Sequence, residues 1–291
     1  MWLGKRLPVC KKISNNKIII KKLNKNKIII GKVIPQLTEK LDILENLIKI
    51  TEKLNFFPKI VTVKNNIIYM NYYPGIDGRI LLFIPLFFKR LGKIMKKFHV
   101  TGQEILGKNY EIRYKSFHDL VLALEKIFYQ TNKNYHKQYK QFLEKLFNSS
   151  SCYITLLHND FTLRNIKLTW QGIKIFDFEG IFHPSFPNPF FNIFDVGIFL
   201  FNLISYYNFL SIFGTSHIRK CIKFFLSGYG MDRDTIYAVL KLVGIYHYFG
   251  FFIDRPLLEV YAHKKNYKTF KCLLEGFLFN DSGKIIDFLN F

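Results

Sequence analysis

Two short runs of polar side chains, one on each side of a hairpin, constrain this chain more than anything else in it. Ile166-Lys167-Leu168-Thr169-Trp170 and Ile173-Lys174-Ile175-Phe176 alternate in character around Gln171-Gly172, the pattern of a tight β-hairpin. The run Leu157-His158-Asn159-Asp160-Phe161-Thr162-Leu163-Arg164-Asn165 enters this hairpin and Asp177-Phe178-Glu179 leaves it. A hairpin brings its two ends together, so Asn165 and Asp177 lie side by side at the open end. Strand side chains alternate faces, so Ile173, Ile175 and Asp177 are expected to share one face, with Asp177 emerging from a buried strand. Taken singly, His158 and Asp160 could be an ordinary strand-end turn and Asp177 a hairpin cap. The joint spacing, with a hairpin between, favours a site.

The spacing also has a chemical meaning. In phosphoryl transfer, a loop H-x-D-x-x-x-x-N supplies a base and a magnesium ligand, and a later D-F-G aspartate supplies a second ligand. His158, Asp160 and Asn165 occupy every fixed position of the first pattern. Asp177-Phe178 fits the second, with Glu179 in place of glycine. Negative charge spreads over the transferring group, and carboxylate and amide oxygens are the hard ligands that hold the ion offsetting it.

These motifs resemble those of the aminoglycoside phosphotransferase and choline/ethanolamine kinase superfamily. The His-Asn-Asp and Asp-Phe-Glu forms, with Phe194-Asp195-Val196-Gly197, look most like the choline/ethanolamine branch. Asp160-Phe161-Thr162 also looks like bacterial phosphotransferases associated with surface-polysaccharide synthesis, so both branches stay open. The resemblance implies a protein-kinase-like α+β fold of two lobes. A small β-rich nucleotide-binding lobe would span residues 1–73, and a larger, mostly helical catalytic and acceptor-binding lobe residues 74–291. It implies ATP and Mg²⁺ as cofactors and a small-molecule hydroxyl as acceptor: an amino alcohol, a sugar, an aminoglycoside or a lipid-linked saccharide. Asp160 would be the catalytic base, Asn165 and Asp177 the metal ligands, and His158 and Asp195 the supports of the loop.

Upstream, Asn16 to Ile20 and Asn26 to Ile30 are near-identical β-branched segments that read as paired strands. Lys32 follows the second and matches the superfamily's phosphate-binding lysine. Leu37, Leu41, Leu44 and Ile48 recur at helical spacing up to about Leu54, and Glu45 beside that stripe is expected to pair with Lys32. The phosphate-covering turn should lie near Ile13-Ser14-Asn15-Asn16, which lacks glycine; Ser14 and the asparagines can still offer donors. That departure keeps open a catalytically silent, kinase-like binding protein. Ile67 to Asn71 reads as a strand ended by Pro74-Gly75, and the resemblance makes it the hinge, with the backbone of Asn71 and Tyr72 meeting the adenine edge.

Leu91-Gly92 through Phe98-His99 resembles the helix that opens the larger lobe, with His99 a helix-end residue of no ligand role. Phe190 to Phe213 is long and apolar enough to suggest a membrane span. Polar residues including Asp195 interrupt it, and an aspartate at mid-span is unfavourable by about 2.5–3.5 kcal/mol, so a buried core helix is expected. Between Glu179 and Asp195 the prolines at 184, 187 and 189 exclude helix and central strand. That loop should border the acceptor pocket, with Glu179, Phe182, His183 and Phe186 as candidate lining. Ser227 to Asp232 reads as a loop.

Composition sets the outer limits. The 291 residues suffice for one two-lobed enzyme. Four scattered cysteines, Cys10, Cys152, Cys221 and Cys272, form no C-x-x-C pair, which points away from zinc or disulfide frameworks and toward a reducing, cytoplasmic setting. Of the net charge of +22, +11 lies in residues 1–66, where fifteen Lys and Arg face four acids. Such a field suits nucleotide, an anionic substrate or peripheral contact with an anionic membrane surface. A codon bias toward Lys and Asn would give the same composition. No nucleic-acid-reading signature accompanies the charge, so a nucleic-acid partner is not expected.

Overall fold

The two isoleucine runs pair as expected. In the computed structural model, which describes residues 18–24, 27–34, 41–107, 148, 152–158, 160–177, 191–205 and 215–231, β1 (Ile18–Asn24) runs antiparallel to β2 (Lys27–Val33), with Ile20 opposite Ile30. β4 (Ile67–Asn71) lies on the other side of β2, with Ile68 opposite Lys32, and β3 (Ile60–Lys64) flanks β4. The order is β1-β2-β4-β3, all antiparallel. Asn65 and Asn66 join β3 to β4 with φ of 51° and 58°, the left-handed backbone a two-residue hairpin needs and asparagine tolerates.

α1 (Leu41–Lys53) shares a hydrophobic core with Ile68 and Met70 of β4. Its inward stripe is Leu44, Leu47, Ile50 and Thr51, continued by Leu54. Ile48, placed on the apolar stripe by sequence spacing, is only partly buried. Leu37 lies outside the described residues.

The chain then crosses to a second antiparallel sheet in the order β5-β6-β7, made of β5 (Ile76–Asp77), β6 (Ile166–Thr169) and β7 (Gly172–Ile175). Three helices share the core of this part of the chain: α2 (Pro85–Leu106), α3 (Ile193–Ser205) and α4 (Thr215–Tyr229). Proline at the first turn of α2 gives up an N–H that has no helical partner anyway. A small sheet with one helix joined to a larger, mostly helical part is the two-lobed α+β architecture the motifs implied.

α3 is a core helix. Asp195, Val196, Phe199 and Leu200 on it have no solvent exposure, and no helix among the described residues is long and apolar enough to cross a membrane. The loop expected from Ser227 is instead the last turn of α4. It stops at Gly230, whose φ of +78° and N–H bond to the Leu226 carbonyl (2.8 Å) form a glycine helix end. Gly228 is in the helix for a steric reason. α2 and α4 cross so closely that a Cβ at Gly92 would stand 2.1 Å from the Phe225 carbonyl oxygen, and one at Gly228 2.1 Å from that of Lys89.

Candidate active site

β2 carries Lys32 to the underside of the first sheet, where its ammonium pairs with Asp177 across 145 residues of sequence. The lysine side chain is 13% exposed and the aspartate 37%. Asp177 has a φ of +63°, a left-handed conformation that a non-glycine residue adopts seldom and most readily as Asn or Asp. β7 ends at Ile175, so the alternation expected of Ile173, Ile175 and Asp177 stops short. Ile175 is sealed in the core, whereas Asp177 turns to Lys32 in the cleft. Strain held at one carboxylate beside a cation is characteristic of functional positions.

The other end of the hairpin closes the group. The Phe176 N–H donates to the Asn165 carbonyl at 2.7 Å, which pins the residue before Asp177 to the residue that ends the loop. Asn165 Nδ2 donates to the Asp160 carbonyl (2.8 Å) and to Asp160 Oδ2 (2.9 Å). Arg164 donates to the same Oδ2 at 2.7 Å, leaving Oδ1 without a donor among the described residues. Lys32, Asp177, Asn165 and Asp160 therefore belong to one bonded cluster.

No protein-family model matches the chain, and no curated protein matches it by sequence. Its fold does match solved structures. A choline kinase from Cryptosporidium parvum superposes with a TM-score of 0.52 at 12% identity, covering 96% of this chain and 89% of that one. An ethanolamine kinase from Plasmodium vivax gives 0.51 at 15%, with 90% and 80% covered. A macrolide 2'-phosphotransferase from Brachybacterium faecium gives 0.55 at 9%, with 91% and 90% covered. The fold is that of the kinase-like small-molecule phosphotransferases.

Within this kinase-like fold the support of the loop is a buried relay. The Asp195 carboxylate, fully buried, accepts the backbone N–H of His158 at 2.6 Å. His158 Nε2 donates to the Phe176 carbonyl at 2.9 Å, so its Nδ1 is left to accept the Asp160 N–H at 3.3 Å. His158 thus bonds both halves of the site. On its far side Asp195 Oδ2 accepts from His99 Nε2 at 3.2 Å. The Tyr229 hydroxyl, itself receiving Asn192 Nδ2 at 2.8 Å, donates to His99 Nδ1 at 2.8 Å. Burial holds the His99 pKa below its ordinary value, only partly opposed by Asp195, and pushes the Tyr229 phenol well up. Both shifts favour a neutral histidine and a protonated phenol.

Several sequence expectations need correction or fall elsewhere. Glu45 is exposed on α1, and no described contact joins it to Lys32. The inward stripe containing Leu44 and Leu47 turns the intervening position outward, and the lysine meets Asp177 instead. His99 is no helix-end residue: α2 continues to Leu106, and the histidine is wholly buried in the relay. The amides of Asn71 and Tyr72 are committed to the carbonyls of Lys59 (3.0 Å) and Ile28 (3.1 Å), so neither N–H is open to a base edge. Ser14, Glu179, Phe182, His183 and Phe186 lie outside the described residues.

Sequence reading missed Arg164, His99, Asn192 and Tyr229. Only His99 left a signal: it follows Phe98 on the face of Leu91 and Met95, and a polar residue on a buried stripe requires a partner.

Proposed function

We propose that this chain transfers the terminal phosphate of a purine nucleoside triphosphate to a hydroxyl of a small molecule. What carries the reading is the meeting of Lys32, from the first sheet, with Asp177 at the open end of the hairpin that also holds Asn165 and Asp160. A cation, two carboxylates and an amide oxygen converge there between the two sheets.

Each residue has a part in that reaction. Asp160 Oδ1 orients the acceptor hydroxyl and takes its proton. Arg164 and Asn165 hold the other oxygen and so fix the carboxylate plane. Lys32 gives its ammonium to phosphate oxygens and in doing so releases Asp177. The residues also fit a magnesium ion. Asn165 Nδ2 is engaged by Asp160, which leaves its Oδ1 as the ligating atom, and Asp177 supplies a carboxylate, both hard oxygen donors. When bound, the ion offsets the charge developing on the transferred group. Among the described residues no set of three His, Cys, Asp or Glu forms a cage of its own, so Asn165 and Asp177 are partial ligands. Residues 1–73 would form the nucleotide lobe and 74–291 the acceptor lobe, with Glu179, Phe182, His183 and Phe186 toward the acceptor.

The test is a screen. The full chain with ATP or GTP and Mg²⁺ is offered choline, ethanolamine, hexosamines, aminoglycosides and macrolides, and nucleoside diphosphate release is measured. At least one acceptor should raise release well above the acceptor-free rate, and Asp160→Ala should remove that increment. Nucleotide binding with no turnover on any acceptor would leave a silent binding protein and end the catalytic reading.

A further inference from the structure

The face of the hairpin opposite the core carries two lysines, and one of them has no hydrogen-bond acceptor among the described residues. Lys167 on β6 is the register partner of Lys174 on β7 and of Asp77 on β5, and cross-strand partners project to the same face. The opposite face is the core, where Ile166 and Ile175 have no exposure. Like charges directly opposite each other in a sheet are destabilising, and Asp77, opposite Lys167 on its other side, offsets this in part while its oxygens are held by Arg79.

Two of the three charged groups on this face are accounted for. Lys174 bonds the Asn55 carbonyl and sits 4.5 Å over the Tyr73 ring, and burial draws its pKa down. Both Asp77 oxygens are held by Arg79, at 2.9 and 2.8 Å, and that guanidinium keeps the carboxyl below its ordinary range. Lys167 is different. Its ammonium stands 5.5 Å from the Tyr72 ring centre and 5.3 Å from that of Phe176. No hydrogen bond or ion pair joins it to another described residue. Tyr72 directly follows β4 of the first sheet, and Phe176 immediately precedes Asp177. Lys167 therefore stands near the lysine–carboxylate cluster, where a nucleotide's base would lie if the function proposed above is right.

We propose that Lys167 reads the nucleobase and gives this chain a preference for guanine over adenine nucleotides. An ammonium is a donor only. Guanine offers it two adjacent acceptors, O6 and N7, whereas adenine offers N7 beside an amine that also donates. The amides of Asn71 and Tyr72, which could otherwise recognise a base edge, are consumed within the protein. Tyr72 and Phe176 keep the ammonium in place by attraction to their ring faces.

The experiment measures binding of GDP, ADP and IDP with Mg²⁺ to the full chain, and to Lys167→Leu and Lys167→Arg. GDP should bind about ten-fold tighter than ADP, the lower part of the range for a two-acceptor contact. IDP, which keeps O6 and N7 but lacks the 2-amino group, should group with GDP. Lys167→Leu should bring GDP and ADP within about two-fold of each other, and Lys167→Arg should retain most of the preference. ADP binding as tightly as GDP to the wild type, IDP grouping with ADP, or a GDP/ADP ratio unmoved by a folded Lys167→Leu would each overturn the assignment. Binding of both ADP and GDP without discrimination defeats this inference and leaves phosphotransfer standing. Binding of neither removes both.

Discussion

Asp177 and Asp195 are the same residue type put to opposite uses. Asp177 is 37% exposed, held on a left-handed backbone, and faced by a mobile type of partner, a lysine. Asp195 has no exposure and is tied to a backbone N–H and to a neutral histidine. The first carboxylate can exchange its partner for another cation at little loss of structure. The second cannot let go without leaving buried donors unpaired. Under the proposed function, chemistry and support fall to two different acids about one loop, and that separation is open to test.

The largest effect is expected at Asp177. Replacement by asparagine keeps the tolerance for positive φ and removes the charge, and turnover on the acceptor found by screening should fall roughly 10³-fold. The melting temperature should move by no more than about 2 °C, since the aspartate is more than a third exposed and solvent screens the pair. A large drop in melting temperature would show that this acid is structural too and dissolve the contrast.

Asp195→Ala should do the reverse. Stability measured by urea unfolding should fall by about 3 kcal/mol, because the His158 N–H and His99 lose their buried acceptor. Loss below about 1 kcal/mol would mean that the relay is not what holds the loop. Turnover should decline as well, through His158, with Asp195→Asn intermediate in both measurements.

The smallest effect is in pH. Burial lowers the pKa of His99 from 6.5, so below that value the unfolded chain takes up a proton the folded protein refuses. The contribution to stability is complete above about pH 6.5 and is lost as pH falls, by at most about 1.4 kcal/mol per unit. Chemical unfolding at several pH values between about 5 and 7.5 should show this slope in the wild type and a shallower one in His99→Gln. Equal slopes would exclude His99 as its source.

The contrast also marks what the chain's letters could convey. His158, Asp160, Asn165 and Asp177 were legible because a hairpin fixes them by short-range spacing alone. Lys32 stood out among its lysine neighbours only through the resemblance, and the register opposite Ile68 directs it to the cleft. Glu45 is turned outward because one position of helical phase separates inward from outward, and the buried stripe is centred on Leu44, Leu47 and Ile50. The bonds of His99 to Asp195 and Tyr229 span 96 and 130 residues; no local pattern announces contacts of that range. Lys167 read as the polar half of an alternating strand, and only the rings of Tyr72 and Phe176 gave it a location.

The crossing of α2 and α4 at Gly92 and Gly228 reaches further than packing. His99 stands two turns along from one glycine and Tyr229 directly follows the other, so the gap between the helix axes sets the length of the bond joining those side chains. Widening it by a single methyl group would slacken the tether on Asp195 from a distance. Substitution at either glycine would therefore loosen the brace on the loop while every residue of the candidate site remained in the sequence.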